Sequence, residues 1–163
     1  MARLLDLDDA PGRAAIRSRS CTETRARWSP GGKQLVFSSP AAESDGDLFV
    51  VNADGSRLHR LLATRPLEWA AAWSPDGKRI LFTRSFSDRS SDVYVVNADG
   101  TNVRRLTRAR RNDFGASWLP DGSKIVFSSE RLGRTHLFVL RADRSHQHAI
   151  TNAGADDFDP TWV

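Results

Sequence analysis

The chain has 163 residues, which is enough for one domain with its own apolar core and too few for two domains of ordinary size. Its 24 basic and 20 acidic residues give a formal net charge of +4, and most of the arginines are scattered, which disfavours nucleic-acid binding. Cys21 is the only cysteine, which excludes a disulfide framework and a cysteine-based metal cage.

The first ten residues contain three aspartates inside their only apolar stretch, at Asp6, Asp8 and Asp9. The apolar region of a secretory signal peptide would not tolerate these charges. No apolar run elsewhere approaches the roughly 20 residues that a membrane-spanning helix needs. We therefore expect neither a signal peptide nor a membrane segment in this chain. As it stands we expect a cytoplasmic location, with the native compartment left open.

The chain repeats itself every 44 or 45 residues, and positions that correspond between repeats form columns. Tryptophan recurs at Trp28, Trp73, Trp118 and Trp162, and phenylalanine recurs at Phe37, Phe82 and Phe127. An aspartate column and an aliphatic column keep the same register: Asp9, Asp54, Asp99 and Asp143, and Ile16, Leu61, Leu106 and Ile150. Because four columns share one period, the repeat defines the architecture. The recurring tryptophans and phenylalanines are assigned to packing between repeats.

Each repeat predicts four short strands. In the second repeat, a Ser-Pro-Asp-Gly turn at 74–77 follows the tryptophan, and its proline and glycine favour a hairpin. A second strand at 80–82 follows, and a third strand at 93–96 leads to another hairpin turn at 97–100. A fourth strand then ends at Leu106. The unit is therefore predicted to be a four-stranded antiparallel meander.

The central strands are apolar at consecutive positions, so both faces of each sheet need burial. Radial stacking of the sheets around an axis buries every copy, which predicts an all-β protein built from β-propeller blades. We expect one domain over 1–163 with three complete blades and partial blades at both ends. The predicted units are about 1–20 (an outer half blade), 21–65, 66–110, 111–153 and 154–163 (a first strand only).

One motif carries a resemblance to a known family. It runs from Trp73 through Ser-Pro-Asp-Gly-Lys-Arg-Ile-Leu to Phe82, and it continues with Val-Tyr-Val-Val-Asn-Ala-Asp-Gly at 93–100 and Leu-Thr at 106–107. This pattern is similar to the WD-like repeat of TolB-like β-propellers, and the similarity extends over nearly the whole chain. The resemblance implies a partial propeller. TolB-like proteins resemble six-bladed rings, and six blades at this period would need about 260 residues, more than this chain has.

Three explanations for a partial ring remain open. The chain is a fragment of a longer protein, or a second copy completes the ring, or residues 157–163 join the N-terminal strands in a small closed ring. A three-blade arc would expose two apolar sheet faces, which monomers rarely tolerate. Of the three we favour a homo-oligomer that completes the ring.

An acidic residue recurs five positions before each tryptophan, at Glu23, Glu68, Asp113 and Asp157. Three of these acids are followed by an aromatic residue, at Trp69, Phe114 and Phe158. Since first strands line the channel of a propeller, we expect these residues to form an acidic, aromatic channel mouth. Such a mouth would bind a cation or the lysine and arginine side chains of a partner peptide. The structural alternative is that each acid binds backbone amides of a neighbouring blade.

Two further patterns lack the residues that a site would need. His146 and His148 would share one face of a strand, but no third ligand accompanies them, so no metal site is predicted. Gly115-Ala116-Ser117 lacks the second glycine of a nucleophile elbow and lies in a predicted first strand. No catalytic constellation and no cofactor motif is recognised, so we expect a protein that is not an enzyme.

These patterns favour a non-catalytic scaffold that binds a protein or peptide partner through its channel mouth and loops. The TolB resemblance implies a periplasmic scaffold in an envelope complex that contacts a lipoprotein. Similar propellers also imply an alternative, the gating domain of a larger hydrolase such as a prolyl-oligopeptidase-like peptidase, or part of a polysaccharide lyase. A self-assembling platform is the third possibility.

Overall fold

The structure is a computed structural model that describes residues 26–41, 44–62, 64, 66–86, 90–152, 156–158 and 160. In these residues every regular element is a β-strand, and no helix long and apolar enough to cross a membrane occurs among them. Blade one contains β1 (Arg27–Trp28), β2 (Gln34–Ala41), β3 (Ser44–Asn52) and β4 (His59–Arg60). Blade two contains β5 (Glu68–Trp73), β6 (Arg79–Ser85), β7 (Ser91–Asn97) and β8 (Arg104–Arg105). Blade three contains β9 (Asp113–Trp118), β10 (Lys124–Ser129), β11 (His136–Arg141) and β12 (His148–Ala149).

Each blade is a four-stranded antiparallel sheet whose strands follow one another in chain order. The turn after β5 shows why consecutive strands pair with each other. Gly77 has φ +68° and donates its N–H to the carbonyl oxygen of Ser74 at 2.9 Å, while the Asp76 carboxylate accepts from the Lys78 N–H at 3.0 Å. Glycine adopts this positive φ without strain, which lets the chain reverse tightly. The prediction of four-stranded antiparallel blades is confirmed.

The blades radiate from their first strands. β5 packs against β1, β2 and β3, and β9 packs against β5, β6 and β7. No comparable approach joins β4 to β8 or β8 to β12 in the described part of the chain. The sheets are therefore close together at their first strands and spread apart towards their fourth strands.

Both faces of the middle blade are buried, as the consecutive apolar residues of β6 predict. Ile80 and Phe82 face the core between blades one and two, and Leu81 faces the core between blades two and three. All three side chains are fully buried. Burying one such aliphatic or aromatic side chain stabilises the fold by about 1.5–3 kcal/mol. A sheet with two apolar faces therefore gains stability from a neighbour on each side.

The tryptophan column packs between blades at two of its four positions. Trp73 is buried and donates its indole N–H to the Arg27 carbonyl oxygen of blade one at 3.1 Å. Trp118 is buried beneath the Arg79 guanidinium of blade two, which lies 4.6 Å from the ring centre. Trp28 is 54 % exposed, so its assignment to blade packing does not hold among the described residues. The physical reason is that Trp28 is in β1, which has a described blade on one side only, and Trp162 lies outside the described residues.

The phenylalanine column packs within each described blade, and Phe82 and Phe127 also belong to the apolar cores between blades. Each ring lies opposite an aromatic ring of the third strand, in the pairs Phe37–Phe49 at 5.8 Å, Phe82–Tyr94 at 5.5 Å and Phe127–Phe138 at 5.8 Å. Cross-strand aromatic pairs of this kind stabilise a sheet by up to about 1 kcal/mol each. The column therefore holds the two central strands of every blade in register.

Candidate functional site

The first strands of blades two and three begin at the same end of their sheets. The described parts of the connections that precede them, and of the loops between second and third strands, lie at this same end. We call this end the rim. It carries the acidic and aromatic columns that the sequence singles out.

Glu68 opens β5 and is completely buried. One carboxylate oxygen, Oε1, accepts from Arg84 Nη2 at 2.6 Å, from Arg84 Nε at 3.2 Å and from Thr64 Oγ1 at 2.7 Å. Arg84 lies on the neighbouring strand β6, directly opposite Glu68 in the sheet. The Arg84 side chain is only 14 % exposed, and its guanidinium carbon lies 4.7 Å from the Tyr94 ring centre.

Asp113 occupies the same position in β9 and is also completely buried. Its Oδ2 accepts from Arg131 Nη2 at 2.7 Å. Burial raises the pKa of Asp113, because removing the carboxylate from water outweighs its hydrogen bond to Ser129 and its attraction to Arg131. Arg131 lies just beyond β10, over the Phe138 ring at 4.6 Å. The fourth acid, Asp157, is partly buried, and its backbone N–H binds the Thr135 carbonyl oxygen at 3.1 Å.

The burial of Glu68 and Asp113 therefore differs from the exposure expected for acids at a channel mouth. Glu68 and Asp113 do not reach solvent, and each pairs with an arginine of its own blade. The structural alternative had named backbone amides of a neighbouring blade, whereas the observed arginine partners are side chains of the same blade. A buried carboxylate needs such a partner because an unpaired buried charge is very costly. Glu23 lies outside the described residues.

Two further buried acids lie at the rim, on the third strands, and the sequence analysis does not predict them. Asp47 pairs with Arg60 at 2.7 Å, and Asp92 pairs with Arg105. Each arginine also donates from Nε to a backbone carbonyl two residues later, at 3.0 Å in both blades. Both acids and both arginines recur at a step of 45, so a search for charged columns could have found these pairs. Blade three replaces the acid with His136 and the arginine with Ala149.

Asp92 also holds the rim loop that leads into β9. Its Oδ1 accepts from the Ala109 N–H at 3.3 Å and from Thr107 Oγ1 at 3.3 Å. The loop then presents Arg108, Arg110 and Arg111, whose side chains are exposed. None of the three has a hydrogen bond or an ion pair with another described residue. These three arginines therefore differ from the arginines that neutralise buried acids, because their charges are exposed and have no partner among the described residues.

The aromatic column forms a continuous row across three successive repeats. The Trp69 and Phe114 rings stack at 6.0 Å with 28° between their planes, and Phe114 and Phe158 lie 6.4 Å apart at 31°. We call these three side chains the aromatic row. Trp69 donates its indole N–H to Ser85 Oγ at 3.0 Å, which orients the ring. Phe158 is 60 % exposed.

A β-bulge follows each row member in β5 and β9. Ala70 has φ +51° and Gly115 has φ +63°, and the pairing register shifts at this point in both strands. The Gly115 N–H is directed at Thr83 Oγ1 of blade two, at 3.3 Å. A bulge bends its strand and re-aims the adjacent side chains. The repeated bulge therefore sets the orientation of Trp69 and Phe114.

The remaining candidates do not come together as a site. His146 and His148 are exposed, and their Nδ1 atoms lie within hydrogen-bonding distance of Ser145 Oγ at 2.8 Å and the His146 carbonyl oxygen at 3.0 Å. Among the described residues no group of three or more histidine, cysteine, aspartate or glutamate side chains could hold a metal ion. Ser117 lies within β9, a first strand, as predicted.

Four-stranded antiparallel sheets that radiate from their first strands define the chain as part of a β-propeller. A family model described as the TolB beta propeller domain matches residues 65–163, which is more than half of the chain. The chain therefore belongs to the TolB β-propeller family. Comparison with curated proteins gives no match.

Solved structures show the same fold. A putative TolB from Agrobacterium tumefaciens is 25 % identical with a TM-score of 0.75, over 82 % of this chain and 47 % of that one. TolB from Acinetobacter baumannii is 19 % identical with a TM-score of 0.72, over 88 % of this chain and 36 % of that one. An oligogalacturonate lyase in complex with manganese is 17 % identical with a TM-score of 0.55, over 72 % of this chain and 33 % of that one. The chain thus spans less than half the length of each of these proteins.

Proposed function

We propose that the chain is a non-catalytic scaffold that binds a protein or peptide partner at the rim. The observation that carries the proposal is the aromatic row, which runs across three successive repeats and ends in the 60 % exposed Phe158. A single exposed apolar side chain is ordinary on a protein surface. Aligned aromatic rings with an exposed end are instead typical of a surface that buries a partner side chain.

The chemistry of the rim acids favours binding over catalysis. A general acid or base must reach the proton that it transfers. Glu68 and Asp113 are fully buried, and each is held by an arginine, at 2.6 Å and 2.7 Å. This arrangement suits carboxylates that orient side chains of the scaffold. The propeller part of a larger hydrolase or lyase remains the alternative; it rests on fold similarity, and an adjacent coding region for a Gly-x-Ser-x-Gly hydrolase domain would support it.

A selection of random peptides displayed on phage tests the proposal. Peptides enriched on the immobilised chain are synthesised, and their affinities are measured by fluorescence polarisation for the wild type and for Phe158→Ala. We expect Phe158→Ala to weaken binding about tenfold, as loss of a buried aromatic contact typically does. Val103→Ala is the matched control, because Val103 is 39 % exposed and lies before the outer strand β8. No enrichment, or equal binding by both variants, would contradict the proposal.

We further propose that a second copy completes the ring. Trp28 supports this, because it is 54 % exposed whereas Trp73 and Trp118 are 9 % and 5 % exposed at equivalent positions. An apolar side chain that its repeat normally buries favours a neighbouring blade from another molecule. Sedimentation velocity should give the mass of a homo-oligomer for the wild type and a lower mass for Trp28→Glu. A stable wild-type monomer would contradict this second proposal.

A further inference from the structure

Eight charged side chains at the rim cancel one another in pairs within the described structure. Buried carboxylates are paired with arginines in four ion pairs, which are Asp47–Arg60, Glu68–Arg84, Asp92–Arg105 and Asp113–Arg131. Each carboxylate is completely buried. Because the partners are adjacent and opposite in charge, their fields largely cancel beyond the pair. These eight side chains therefore offer little net charge to a partner.

An uncancelled charge remains on the loop that leads into β9. Arg108, Arg110 and Arg111 are exposed and make no ion pair with described residues. Other rim carboxylates keep their negative charge, because their hydrogen-bond donors are neutral: Glu130 accepts from Asn112 Nδ2 at 2.9 Å, and Asp156 accepts from the Thr135 N–H at 2.8 Å. Asp157 also lies outside the four ion pairs. Three guanidinium groups within four residues therefore concentrate positive charge on this loop.

The cationic loop and the aromatic row are adjacent in the fold. Arg111 precedes Phe114 by three residues, and Phe114 is the central ring of the row. The loop is also fixed in place, because Ala109 N–H binds the buried Asp92 carboxylate at 3.3 Å. A fixed cluster of guanidinium groups beside apolar rings presents two complementary chemistries to one ligand.

We infer that the rim recognises an acidic peptide segment that carries an aromatic or large aliphatic side chain. This inference rests on the proposed function and specifies the partner's chemistry. The partner's apolar side chain packs against the exposed end of the aromatic row at Phe158. Its carboxylates pair with the guanidinium groups of Arg108, Arg110 and Arg111. The inference reverses the charge expected from the acidic column, whose members in blades two and three are internally neutralised.

Two observations favour a peptide over a nucleic acid. Three unpaired arginines would neutralise few phosphates, whereas nucleic-acid-binding proteins commonly make about 6–10 phosphate contacts. The aromatic rings also stack on one another, with 28° and 31° between neighbouring planes. Their faces are therefore partly occupied, and they do not offer the separate platforms on which successive bases stack.

Three labelled probes test the inference with the full chain. The first is a peptide with a central phenylalanine flanked on each side by three glutamates. In the second peptide lysines replace the glutamates, and the third probe is a short single-stranded oligonucleotide with the net charge of the first. Fluorescence polarisation should show at least about tenfold tighter binding of the glutamate peptide than of either other probe, and this preference should weaken with added salt.

Charge-matched variants locate the binding surface. The triple variant Arg108→Gln, Arg110→Gln, Arg111→Gln should lose about tenfold in affinity for the glutamate peptide, and Phe158→Ala should lose a similar factor. The control replaces Lys33, Lys78 and Lys124 with glutamine. These lysines are exposed in or beside the hairpins at the opposite end of the sheets, so the control has the same net charge and should bind as the wild type does. Circular dichroism confirms that each variant is folded.

Each outcome decides the inference. Equal loss in the arginine and lysine variants would show that only net charge matters, and would overturn the inference. Preference for the lysine peptide or for the oligonucleotide would also overturn it. If peptides selected in the phage experiment bind the rim and carry no acidic residues, the proposed function survives and the inference fails. If no peptide of any charge binds at the rim, both fail.

Discussion

Replacing Arg105 with alanine should destabilise the fold strongly, because it leaves Asp92 buried without its cation. Asp92 is completely buried, and its remaining partners are Thr107 Oγ1 and the Ala109 N–H, both at 3.3 Å. Removing one partner of a buried ion pair typically costs about 3–5 kcal/mol. Because 30 % of the Arg105 side chain is exposed, solvent screens the pair, and we expect about 3 kcal/mol, at the lower end.

The chain supplies its own control in blade three, where His136 and Ala149 stand at the positions of Asp92 and Arg105. The double variant Asp92→His, Arg105→Ala copies that arrangement into blade two. It leaves no uncompensated carboxylate, although the hydrogen bonds to Thr107 and Ala109 are altered. We therefore expect the double variant to lose only about 1–2 kcal/mol, less than the single variant.

Urea unfolding followed by far-ultraviolet circular dichroism at neutral pH measures both changes. The single variant should also melt about 6–12 °C below the wild type, since 1 kcal/mol corresponds to about 2–4 °C in a protein of this size. The reasoning would be refuted if Arg105→Ala cost less than about 1 kcal/mol. It would also be refuted if the double variant were no more stable than the single variant.

Three further changes test the turns. Arg144→Gly should stabilise the fold by about 1 kcal/mol, because Arg144 has φ +76° in a hairpin where other blades use glycine. Gly100→Ala should destabilise more than Gly122→Ala: a Cβ at Gly100 would lie 2.7 Å from a carbonyl oxygen of blade one, whereas at Gly122 nothing approaches closer than 3.9 Å. Asp99→Asn should destabilise at neutral pH and have little effect in acid, because hydrogen bonds from Thr101 lower the pKa of Asp99 below its ordinary 3.8. A carboxyl group with a lowered folded pKa stabilises above its unfolded pKa and loses that contribution as the pH falls through the folded pKa.

Urea unfolding checks the first two changes, and its repetition between neutral pH and pH about 2.5 checks the third. No gain from Arg144→Gly would mean that its backbone strain is relieved elsewhere. Equal losses at Gly100 and Gly122 would show that the close approach between blades is unimportant. A loss from Asp99→Asn that persists in acid would assign the effect to hydrogen bonding and not to charge.

The sequence by itself was sufficient for the repeat, the strands and the turns, because neighbouring residues encode these features. The apolar run at 80–82 predicts a strand buried on both faces, and Ile80, Leu81 and Phe82 are fully buried. The Ser-Pro-Asp-Gly pattern predicts a hairpin, and Gly77 has the positive φ that this turn needs. Backbone preferences and a regular period act locally, so they can be recognised without any knowledge of distant contacts.

Only the tertiary structure decided how Glu68 and Asp113 are neutralised and which charges remain exposed. Glu68 and Asp113 share a column, yet Arg84 and Arg131 come from different positions of the repeat, so no periodic signal links acid to cation. A long arginine side chain reaches its partner from whichever neighbouring strand or loop brings it close. Burial has the same non-local origin, since Trp28 is 54 % exposed in a column that other blades bury. The pairing of these two acids and the exposure of Trp28 depend on neighbours that are distant in sequence. Both could therefore be established only from the folded chain.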